Sequence, residues 1–103
     1  MADPSDAQLN SLHTAQEVAN YVGFDGAATA ADSMRGSFFL LLGLTDTTQV
    51  ATLGHASESD FDGVIATWKI GSPPLAPSLS QLGAAKMFWR IGAIRAGTLA
   101  SKE

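Results

Sequence analysis

Among the side chains able to do chemistry, His55, Glu58 and Asp62 stand out first. In one continuous helix they would occupy positions i, i+3 and i+7 on one face, and a divalent ion accepts imidazole and carboxylate together. The same segment has a plainer reading. Gly54 and a Ser57 cap place His55 in the preceding turn, leaving Glu58, Asp60 and Asp62 to offset the positive end of a helix that starts there. We prefer this second reading and expect no metal; the Asp60–Asp62 spacing does not match a calcium loop either. His13 falls on the outer flank of a helical pattern and reads as a surface residue. No serine lies in a nucleophile-elbow sequence, and two histidines are few to activate one. The glycines form neither a phosphate loop nor a dinucleotide fingerprint. With no cysteine, thiolate chemistry and disulfides are excluded. No catalytic residue and no cofactor are expected.

Binding chemistry concentrates near the C-terminus. In a helix over 78–96, Met87, Ile91, Ile94 and Thr98 share a face, while Leu82, Ala85, Trp89 and Ala93 lie almost opposite, with Phe88 between. A helix apolar around most of its circumference either runs through a core or binds something on its second face. Tryptophan and arginine favour binding hot spots, so Leu82, Lys86, Trp89, Arg90 and Ala93 are the expected partner-binding set. Lys86 and Arg90 form a narrow basic stripe, and Arg95 points elsewhere. Beside Phe88 and Trp89, these cations suggest an alternative role in nucleic-acid binding through phosphate contacts and base stacking. Three cations on an acidic chain are few for that.

Charge divides the chain. Over 1–62 nine acidic residues face one basic residue, Arg35; over 63–103 Lys69, Lys86, Arg90, Arg95 and Lys102 face only Glu103. An acidic front and a basic back can complement each other within one chain, pair between copies, or offer the basic end to an anionic partner. Charged residues make up only 16% of the chain, against about 25% in ordinary domains, so the surface must expose much Ala, Ser, Thr and Gly. The N-terminus lacks the apolar stretch of a signal peptide. The run Phe38–Leu44 is far too short to span a bilayer. An intracellular, cytoplasmic protein without a transmembrane segment is expected.

These residues need elements to position them. At 103 residues the chain suits one domain, 1–103, with a radius of gyration of about 13 Å. The pattern predicts an all-α, compact bundle of four to five short helices. The first, about 5–22, starts at Asp3-Pro4-Ser5 and stops at Gly23, with Phe24 folding back. The second, about 26–42, follows from an Asp25 cap, the Ala27–Ala31 run and its helix propensity. Gly36 weakens it by about 1 kcal/mol, which suggests a close neighbour there. The Phe38–Leu42 block reads as core, with this end of the helix central, and Gly43 then Leu44 repeat the Gly23–Phe24 stop. A short helix over 46–53, capped by Thr45-Asp46-Thr47 and ended by Gly54, is favoured over a strand at 49–53.

A helix over 58–70 carries Phe61, Ile65 and Trp68, with Val64 beside them, although 63–70 also has strand propensity. Its start, Ser57-x-x-Asp60, resembles a capping box. The Pro-rich connector 71–77 reads as stiff and extended. The last helix follows from a Ser78 cap and packs against the Phe38–Leu42 end of the second. In build alone, these short helices, broken by Leu-Gly-Leu and Ser-x-x-Asp-Phe turns, resemble small adaptor domains of the sterile-alpha-motif or death-fold type; no functional residue follows from that resemblance. The expected function is a non-catalytic helical interaction or self-assembly module. Its partner is a protein or a second copy, engaged through the apolar surface of the last helix and the acidic-front, basic-back complementarity.

Overall fold

All five described α-helices start at a serine or threonine whose hydroxyl satisfies a free amide of the first turn. The computed structural model describes residues 3–99. Ser5 opens α1 (Asp6–Leu9), Thr14 opens α2 (Ala15–Val22), Ser33 opens α3 (Met34–Leu42), Ser57 opens α4 (Glu58–Ile65) and Ser78 opens α5 (Leu79–Ala96). In each case the hydroxyl accepts a hydrogen bond from an amide of the first turn. A 3₁₀ helix, Val50–His55, lies between α3 and α4. The described residues form a compact, mostly helical body with a radius of gyration of 12.7 Å. Among the described residues six helical segments are present rather than four or five.

The extra segment comes from the first expected helix, which is two. Thr14 and Glu17 form a capping box that begins α2 afresh. The chain before it turns aside so that Ala15 and Gln16 donate to the carbonyls of Thr48 and Asp46 (2.7 and 3.1 Å), and His13 accepts from Val50 (2.9 Å). Tertiary hydrogen bonds thus replace the intrahelical ones that a helix over 5–22 would have made. The same pairing explains why the Thr45-Asp46-Thr47 stretch is a turn rather than a cap, and why the 3₁₀ helix begins only at Val50 and runs through Gly54.

The second expected helix is also shortened. Residues 26–33 are turns, and Gly26 has φ 105°. Ser33 accepts from the Gly36 amide (2.9 Å) and donates to the Ala27 and Ala30 carbonyls (3.0 and 2.8 Å). That cap holds the alanine run folded back over α3, so close that a Cβ at Gly36 would overlap the Ala30 carbonyl. The close neighbour anticipated at Gly36 is therefore the chain's own backbone. The alanine-rich run loses its helical preference because a cap and a packing contact outweigh a few tenths of a kcal/mol per residue.

The core of α3 is also shifted. Its start and middle, Arg35 to Phe39, are buried; Leu41 and Leu42 are half-buried and Leu40 is 60% exposed. Helix α4 ends at Ile65, five residues before the expected 70, because Thr67 donates through both its amide and its hydroxyl to the Val64 carbonyl (3.0 and 2.7 Å). That turn swings Trp68 inward. The connector is not extended: Ile70 and Leu75 exchange two backbone hydrogen bonds of 2.8 Å around a reversal at 71–74.

Two aromatic groups fill the interior. Phe24 and Trp68 pack tilted or edge-on against Phe38 and each other, and Phe88 edge-on against Phe38, with centroids 4.8–5.7 Å apart, while Phe24 and Phe88 stack at 6.5 Å. Phe61 and Trp89 form the second, at 6.3 Å. Phe88 does bring α5 against Phe38 and Phe39 as expected. The closest backbone approach of α5, however, is to the 3₁₀ helix. A Cβ at Gly92 would stand 2.5 Å from the Val50 carbonyl oxygen, and one at Gly54 would run into the Gly92 carbonyl. Gly54 is thus a packing glycine rather than punctuation.

Candidate functional site

Helix α5 positions all five residues of the expected partner-binding set, and it does not leave them on one surface. From Ala84 to Ala93 most of its positions are buried. Trp89 is 7% exposed and its indole N–H donates to the Ala56 carbonyl (3.1 Å); Ala93 is fully buried. Both are corrected to core residues of the single chain, because α4 and the 3₁₀ helix cover the face that the sequence pattern left unassigned. Leu82, Lys86 and Arg90 remain half-buried at the surface. Phe88 is sealed as well, so the aromatic rings proposed for base stacking lie inside the fold.

The cations of α5 meet the acidic front within the chain. Arg90 makes a two-pronged pair with Asp3, Nε to Oδ1 at 2.9 Å and Nη2 to Oδ2 at 2.7 Å. The Asp3 side chain is 3% exposed and that of Arg90 19%. The Asp3 bonds raise the Arg90 pKa above its ordinary value, against the opposing effect of burial. Lys86 reaches Glu58 (3.2 Å) and Asp62 on α4. Partial burial works against its charge, but the two carboxylates prevail and raise its pKa. Arg95 donates to the Leu9 carbonyl (3.2 Å) and to Nδ1 of His13 (2.6 Å). Lys102 and Glu103, counted in the basic end, lie outside the described residues.

Of the residues weighed for catalysis or metal binding, Glu58, Asp62 and His13 have structural partners. Glu58 and Asp62 turn to Lys86, and among the described residues no group of three or more histidines and acids is placed to hold a metal ion. His13 is fixed at both nitrogens. A guanidinium only donates and a carbonyl only accepts, so Nδ1 accepts from Arg95 while Nε2 carries the proton and donates to the Asn10 carbonyl (2.7 Å). Glu17 accepts from the amides of Thr14 and His13 (2.9 and 3.1 Å), and these bonds lower its pKa.

Sequence reasoning missed the role of Arg35. It is buried, donates from Nε to the Phe24 carbonyl (2.9 Å) and from Nη2 to the Asn20 side chain, and ties α2 to α3. Its isolation among nine acids was the available signal.

Large apolar side chains do reach the surface elsewhere. Leu79, the first residue of α5, is 86% exposed, and Leu40, Val64 and Leu75 are also in water. No described helix is long and apolar enough to cross a membrane. The geometry defines a small, mostly helical domain. Compared with known proteins, the chain matches no family model, no curated protein and no solved structure.

Proposed function

We propose that this chain is a non-catalytic helical interaction module that associates, with a second copy or another protein, through the N-terminal half of α5. The observation that carries the reading is Leu79, which lies almost fully in water one turn ahead of the half-buried Leu82. The first buried residue of the helix is Ala84, and ahead of it Leu82 packs only partly against the core, so that Leu79 and the outer side of Leu82 leave apolar surface in water. Apolar area of this kind gains by being covered. Leu82, Lys86 and Arg90 from the expected set border it; Trp89 and Ala93 do not take part. An intracellular setting belongs to the same proposal.

The charge part of the expectation changes with the ion pairs. Asp3 with Arg90, and Glu58 and Asp62 with Lys86, satisfy front and back within one chain. Association then rests on apolar contact and persists at high salt. A nucleic-acid role would first require these pairs to open. Light scattering across protein concentration, at low and high salt, tests the reading. The wild type is expected to gain mass with concentration at both salts, and L79S, at the exposed position, to remain at protomer mass with an unchanged unfolding curve. A wild type that stays monomeric and captures no protein partner refutes the proposal, and mass gain abolished by salt returns the ion pairs to the interface.

A further inference from the structure

Two features without a partner in their own chain sit at opposite ends of α3. Beside its first residue, Met34, lies the start of α5, where Ser80 and Gln81 line the same cleft. Leu79 stands 86% in water there. Around the last turn of α3 and the residues after it runs a groove of about 450 Å³, walled by Ala28, Leu40 and Leu44 and edged by Thr29, Thr45 and Thr47. Pockets that hold small ligands begin at about 300 Å³, so the groove has room for a leucine side chain. Leu79 is not among its walls.

The helix ends beside the two features are of opposite sign, and neither is answered by a side chain. The first turn of α5 carries the positive end of its dipole and holds no acidic residue; the last turn of α3 carries the negative end and holds no basic one. A second copy of the chain brings to each feature what it lacks, an apolar side chain for the groove and a helix end of opposite sign. We infer that the α5 surface docks on a second copy, Leu79 of one copy entering the Leu40–Leu44 groove of the next. The inference rests on the association proposed above and names the surface that receives it. Because unlike surfaces meet, each added copy leaves one leucine and one groove open, and assembly runs head to tail rather than closing as a pair of identical faces.

Light scattering of single variants and of their mixture tests the inference. The wild type is expected to pass the mass of two copies as concentration rises. L79S loses the leucine and keeps the groove; L40S, at a position 60% exposed, keeps the leucine and loses a groove wall. T29W, also at an exposed position, fills the groove instead. Each variant alone should need about tenfold or more protein to match the association of the wild type. Mixed one to one, L79S and L40S regain a single contact, the leucine of L40S in the groove of L79S, and are expected to reach two copies and stop. Association of L40S and T29W at wild-type concentrations would overturn the inference and leave the α5 surface its role. So would a mixture that stays at protomer mass or grows past two copies, and so would a wild type that stops at two. A wild type that stays monomeric yet captures another protein through Leu79 overturns this pairing alone; one that does neither removes the reading on which it rests.

Discussion

Replacing Gly92 with alanine tests the contact that fixes the last helix. In a helix interior this change ordinarily stabilises by about 1 kcal/mol, through backbone entropy. Gly83, in the same helix, has nothing within 4 Å of the place where a Cβ would stand, so G83A should show that gain nearly intact. At Gly92 the new methyl meets the Val50 carbonyl oxygen at 2.5 Å and the Gly54 amide nitrogen at 3.3 Å. Both are backbone atoms and cannot swing away, so α5 must lift from the 3₁₀ helix. Overpacking of this kind costs about 1–3 kcal/mol. Lifting also strains the hydrogen bonds from Thr98 to the Gly54 carbonyl (2.8 Å) and from Trp89 to the Ala56 carbonyl (3.1 Å), each worth about 1 kcal/mol. Set against the helix gain, the net loss is about 2–3 kcal/mol for G92A, and about 3–4 kcal/mol separates it from G83A. Urea unfolding followed by circular dichroism reads this directly. At about 4–8 °C per kcal/mol for a domain near this size, the melting temperature should fall by about 10 °C or more for G92A and rise for G83A. If the two variants are equally stable, the close approach of α5 to the 3₁₀ helix is not what holds the fold.

The Asp3–Arg90 pair should matter more than a surface ion pair. D3N leaves Arg90 with a weaker acceptor in a largely covered site; full burial would make the loss about 3–5 kcal/mol, and the residual exposure of Arg90 lowers the expectation to about 2 kcal/mol. A D3N/R90M double variant that loses no less than the two single changes added together would show that the pair is not coupled. Acid should weaken the start of α2. Because the folded pKa of Glu17 lies below its unfolded value, its contribution is present above about pH 4.3 and is lost as pH falls through the folded value. E17Q is therefore expected to unfold at lower urea than the wild type at pH 6, with the gap closing toward pH 3; a gap that does not depend on pH would remove the charge from the account.

Local chemistry was legible in the sequence wherever a residue acts on its immediate neighbours. The Ser5, Ser57 and Ser78 caps, and the stops in which Phe24 and Leu44 donate back to the Ala19 and Phe39 carbonyls (2.8 Å each) after a left-handed glycine, involve atoms a few residues apart. Residue type and spacing suffice to set them, and a mostly helical domain follows. Tertiary structure decided the rest, because the deciding atoms are far apart in the chain. The Thr48 and Asp46 carbonyls broke the first helix, the Ala27–Ala30 turn folded over Gly36, and Val50 and Gly54 determined what Gly92 must be. The candidate surface moved for the same reason. Periodicity shows that Trp89 lies on an apolar face, but only the placement of α4 and the 3₁₀ helix shows that this face is already covered, leaving Leu79 and the Leu40 groove in water.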